Sequence, residues 1–72
     1  MTNLELKQDI LRAMADLIDH NPDLRFGQLI ANLAVIARGP TPEAIWEMED
    51  DELLEAIKSH IGDYEKRHAE VV

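Results

Sequence analysis

The chain of 72 residues has no cysteine, three glycines, three prolines, only Phe26, Trp46 and Tyr64 as aromatics, and few positive charges. Each shortage excludes something. Without cysteine there is neither a disulfide nor a thiolate metal site, and nothing marks an oxidising compartment. Seven Lys and Arg against fifteen Asp and Glu leave a net charge of −8, which repels phosphate backbones at long range. The cations Lys7, Arg12, Arg25, Arg38, Lys58, Lys66 and Arg67 are scattered, with no cluster on one candidate recognition helix. Nucleic-acid binding is therefore disfavoured. Long apolar runs are also missing. The longest, Leu33 to Ala37, falls far short of the roughly 20 residues needed to span a bilayer. Met1-Thr2-Asn3-Leu4-Glu5 has no basic segment followed by an apolar run, so no secretory signal is read there. The expected location is the cytoplasm, without a membrane.

What remains predicts one small helical domain over residues 1–72. A core of this size supplies only about 3–5 kcal/mol, so a partner chain would add useful burial. The expected fold is all-α, a compact bundle of three helices over about 2–19, 22–38 and 50–62 or longer, with a short helical turn near 43–48. Thr2 and Glu5 have the spacing of a capping box, and Leu6, Ile10, Met14 and Leu17 recur at helical spacing, with Ala13 and Ile18 widening the stripe. Asn21-Pro22 reads as N-cap and first residue of the second helix, with Asp23 in its first turn. Gly39-Pro40 ends that helix. Ile45, Trp46 and Met48 are expected to form an apolar lid with Trp46 half buried. Leu53, Leu54, Ile57, Ile61 and Tyr64 carry the stripe of the third helix, which Gly62 either ends or weakens. Residues 66–72 read either as a last helical turn or as a frayed tail.

The second helix is the most informative segment. Phe26, Leu29, Ile30, Leu33 and Ala37 share one face, and Gly27, Ala31 and Ala34 form a second face of small residues. Apolar over most of its circumference, such a helix is expected to be buried on several sides. Gly27 costs about 1 kcal/mol against alanine in a helix interior. A close approach by the first or third helix would compensate; the alternative is a self-association face. Between the two faces run Arg25, Gln28 and Asn32 as a narrow polar stripe. Buried polar groups need partners, and the acidic start of the third helix, Glu49, Asp50, Asp51 and Glu52, offers several. The expectation is that Arg25 forks to one of these carboxylates and tethers the second helix to the third. In the alternative the stripe faces solvent and recognises a partner.

Arg25-Phe26-Gly27-Gln28-Leu29-Ile30-x-Asn32, followed after a proline-containing linker by Glu49-Asp50-Asp51-Glu52-Leu53-Leu54-Glu55-Ala56-Ile57, resembles a family of small uncharacterised bacterial proteins. Its members share an arginine-led FGQLI-x-N helix and a later EDDELLEA helix start. The resemblance spans roughly the central half of the chain and implies a shared compact helical fold, without an activity. Ala44-Ile45-Trp46-Glu47-Met48 departs from the aromatic-richer turn of that pattern.

Chemistry-bearing groups are few. The acidic run from Glu47 to Glu55 lacks the glycine of a calcium loop, and carboxylates gather at helix N-termini because unpaired N–H groups and the dipole stabilise them. His20, His60 and His68 are far apart and form no metal-binding pair on one helix; His20 sits at a helix C-terminus, and His60 is placed to contact Tyr64. The hydroxyls of Thr2, Thr41, Ser59 and Tyr64 have no triad neighbours. A bundle this small also leaves little room for a pocket of several hundred Å³. The expectation is a non-enzymatic protein-interaction or regulatory module without cofactor, docking on a protein partner or on a second copy through the second helix. The alternatives are a nucleic-acid-associated regulator and a metal-binding accessory subunit.

Overall fold

Thr2 opens the first helix as its spacing to Glu5 requires: the Glu5 N–H donates to Thr2 Oγ1 at 3.1 Å. Helix α1 then runs over Asn3–His20. In the computed structural model the backbone is described for residues 2–71 and the side chains for residues 2–62. Helix α2 covers Phe26–Arg38, α3 is a four-residue turn over Ala44–Glu47, and α4 extends over Asp50–Val71. The fold is an all-α bundle of three long helices and one short one, with no strand among the described residues. Gly62 does not interrupt α4, and the backbone stays helical through Val71.

The boundary between α1 and α2 differs from its expected place. Asn21 caps the end of α1 instead of starting α2. Its N–H donates to the carbonyls of Leu17 and Ile18, both at 3.1 Å, and its side-chain amide donates to Leu17 O at 3.1 Å. With its side chain engaged as a donor to α1, Asn21 is not an N-cap acceptor for α2. Pro22 to Leu24 form a turn, and α2 begins four residues later than expected, at Phe26. At the other end, Gly39 has φ 92° and ψ 175°, a region essentially reserved for glycine, and its N–H donates to Val35 O at 2.8 Å.

Helix α4 is the hub. It packs against both α1 and α2, α3 packs on α2, and α1 and α2 make no close backbone approach to each other among the described residues. Ile10, Met14 and Leu17 from α1, Leu29 and Leu33 from α2, and Ala56 and Ile57 from α4 form the core, flanked by partly buried Leu6, Ile30, Ala37, Leu53, Leu54 and Ile61. Helical periodicity places these residues on one face of each helix. Ala34 and Ala44 are buried outside that cluster, on the two elements α2 and α3 that pack together.

Several expected core positions lie at the surface. Phe26 is 57% exposed because it occupies the first residue of α2, and Ile18 lies at the edge of the α1 stripe, on its solvent side. Nor is α2 buried on several sides. With α4 on one face and only the short α3 beside it, Gly27, Ala31, Val35 and Ile36 remain exposed. Of the small-residue face, only Ala34 is covered. A Cβ built on Gly27 would meet no other part of the fold within 4 Å, so no backbone approach offsets its helix cost. The lid is also absent. Ala44 faces α2, which turns Ile45 and Trp46 outward by about 100° and 200° around α3. Ile45 is 55% exposed and Trp46 is 92% exposed, while Met48, back on the side of Ala44, is half-buried.

Candidate functional site

The acidic start of α4 is built from its own sequence outward. Glu49 precedes the helix, and its N–H donates to Oε1 of Glu52 at 3.1 Å, the backward half of a capping box. The Glu52 N–H donates to Asp51 Oδ1 at 2.9 Å. Two cations reach this helix start from other elements. Lys7 Nζ of α1 contacts Asp50 Oδ2 at 2.7 Å, and Arg38 of α2 donates to Glu52 Oε1 at 2.8 Å and to the Glu47 carbonyl at 3.2 Å. These bridges gather the N-terminal ends of α1 and α4 and the C-terminal end of α2 at one end of the bundle. They are solvent-exposed, so they orient the helices more than they hold them. The Glu52 carboxyl is held below its ordinary value of 4.5, first by the Glu49 N–H; loss of hydration opposes this, and the Arg38 guanidinium adds to the lowering.

The cation expected in this place, Arg25, is elsewhere. Arg38, at the C-terminal end of α2, is the residue beside Glu52, so Arg25 lies at the far end of a 13-residue helix, about 20 Å away. Arg25 is exposed and serves as N-cap, its N–H donating to Gln28 Oε1 at 2.8 Å. Gln28 and Asn32 are exposed too, and no polar or charged residue is buried among the described ones. The polar stripe therefore faces solvent, and the expected tether between Arg25 and Glu49, Asp50, Asp51 or Glu52 is replaced by one from Arg38. The two arginines flank opposite ends of α2, and helical periodicity offers no means of choosing the end that meets the start of α4.

Above the acidic helix start lies an open groove of about 630 Å³. A volume of this size was not expected of so small a bundle; it arises because α1 and α2 both lean on α4 without closing on one another. Leu6, Ile36, Ala37, Leu54 and Ala56 provide its apolar surface, from three different helices. Asp51, Glu52 and Glu55 provide its charge, and Ser59 its one hydroxyl among the described residues. No lysine, arginine or histidine among those residues lines it. Beside it, a polar recess of about 430 Å³ holds the Lys7–Asp50 bridge.

Carboxylate oxygens of Glu49, Asp51 and Glu52 lie within 4.8 Å of one another, a spacing that a divalent cation would accept. Two of these groups already serve as acceptors for helix N–H groups, which accounts for their proximity. His20 sits in the last turn of α1 with Nδ1 2.8 Å from the Asp16 carbonyl, the helix-end placement its position implied. His60 is partly buried and its Nδ1 has no hydrogen-bond partner among the described residues; the Tyr64 side chain, its expected contact, lies outside them. His68 lies outside them as well. No described helix is long and apolar enough to cross a membrane. The chain matches no protein-family model, no curated protein and no solved structure.

Proposed function

We propose that this chain is a non-enzymatic protein-interaction module of the cytoplasm. The observation that supports this most is Trp46. Its indole is 92% exposed on a four-residue helix, next to the half-exposed Ile45. Tryptophan is among the residues most enriched in binding hot spots, and here it stands beside a second exposed apolar side chain. Leu4 and Leu11 on α1, 66% and 69% exposed, are further large apolar side chains open to a partner. Among the described residues the groove lining supplies one serine and no imidazole to activate it, which favours recognition over catalysis. A phosphate-bearing ligand is disfavoured by the net charge of −8.

A photo-crosslinking amino acid placed at position 46, expressed in the native host, tests the reading. One or a few discrete adducts are expected. An adduct of twice the chain mass identifies a second copy, the self-association reading, and any other mass identifies a partner protein. Absence of adducts from both position 46 and position 11 overturns the proposal.

A further inference from the structure

We infer that the groove lined by α1, α2 and α4 is a seat for a cationic amphipathic segment of a partner protein, one that carries an apolar anchor flanked by lysine or arginine. The inference rests on the docking-module reading and names the chemistry of the docked partner. Two properties of the groove select this occupant. Its apolar surface, contributed by Leu6, Ile36, Ala37 and Leu54, stays partly open to water and gains from being covered by apolar side chains. Its charged residues, among the described ones, are all of one sign. Arg38 already answers Glu52, but Asp51 has no cationic partner among the described residues, and Glu55 has only an exposed Lys58 at 3.9 Å.

A bare cation or polyamine would satisfy the carboxylates and leave the apolar surface wet. A neutral apolar ligand would cover that surface and strip water from unpaired carboxylates, which is costly. A second copy of this chain brings a net charge of −8 to a negative groove, so self-docking there is opposed. A segment with both an apolar face and positive charges meets both requirements. In such a complex the apolar anchor provides the burial, and the carboxylates set orientation and association rate.

The test uses a synthetic leucine–lysine amphipathic helix, the same composition scrambled to destroy its amphipathicity, and a version with glutamate in place of lysine. Titration of the isotopically labelled full chain is followed by backbone amide shifts. The amphipathic cationic peptide is expected to bind, with shifts centred on Ile36, Ala37, Leu54 and Glu55, and to bind at least about tenfold more tightly than the scrambled peptide. The glutamate peptide is expected not to bind. Ile36→Ser removes an exposed anchor and should weaken binding about fivefold, and Glu55→Lys about tenfold at low salt. Trp46 lies outside the groove lining, so Trp46→Ala should leave the affinity unchanged. Circular dichroism checks that each variant is folded, and Glu55→Gln, with a smaller loss expected, replaces any Glu55→Lys that is not. Equal binding of the scrambled peptide, shifts centred on α3, or no binding at low salt would each overturn the groove assignment. None of these removes a cross-link at position 46, so the broader docking proposal stands or falls separately.

Discussion

Glu52 does two jobs with one carboxylate. It accepts the Glu49 N–H that starts α4 and the Arg38 guanidinium that ends α2, so the two helices share one acceptor. Its titration accordingly reports on the junction. A carboxyl whose folded-state pKa is depressed contributes stability above its unfolded value, and that contribution is lost as the pH falls through the folded value. Glu52 is lowered from 4.5, so the window lies at and below that pH. Glu52→Gln keeps an oxygen for the Glu49 N–H and removes only the charge. At pH about 7 the variant should be slightly less stable than the wild type in urea melts, and the two should converge as the pH falls to about 3. A difference that persists in acid would show that the charge is not what matters.

At the scale of the helices, α2 carries the clearest mismatch between sequence and fold. Gly27 is exposed within a helix, with space around its missing Cβ. Gly27 is the second residue of α2, short of the helix interior, so Gly27→Ala should raise stability by about 0.5 kcal/mol without changing the fold, measured as a shift in the denaturation midpoint. A destabilised Gly27→Ala would mean that something does approach this face. The three long helices, the short turn, the Thr2–Glu5 cap and the role of Gly39 were legible because each depends on neighbours within a few residues. The faces were less so. Asn21 is equally suited to closing one helix or opening another, and only the path of the chain decides. Trp46 and Phe26 are apolar wherever they stand, and hydropathy alone does not reveal that α3 turns its alanine inward or that α2 begins with a phenylalanine. The charge of the groove could be read from Asp51, Glu52 and Glu55; its apolar half could not, because Leu6, Ile36 and Leu54 come from three separate helices.

For the molecule as a whole, few residues carry the packing. Among the described residues, only Leu17, Leu29, Leu33 and Ile57 are large and fully enclosed. Leu33→Ala would cost about 2–5 kcal/mol, comparable to the entire 3–5 kcal/mol expected of a core this size. The variant should be largely unfolded at room temperature by circular dichroism. A cooperative melt near the wild-type temperature would show that α2 contributes less to the core than its burial indicates.

The central placement of α4 also bears on how the chain acquires its structure during synthesis. In an ordinary helical hairpin, the second helix finds its partner as soon as it leaves the ribosome. Here α1 and α2 emerge with their apolar stripes facing no close backbone partner, since each packs chiefly on α4, which follows both in the chain. The loop from Lys7 to Asp50 must close before the first bridge between these ends can form, and that closure carries its entropy cost before any packing rewards it. Stable structure is therefore expected to wait for α4, leaving the apolar stripes of α1 and α2 open to chaperones until that helix has emerged.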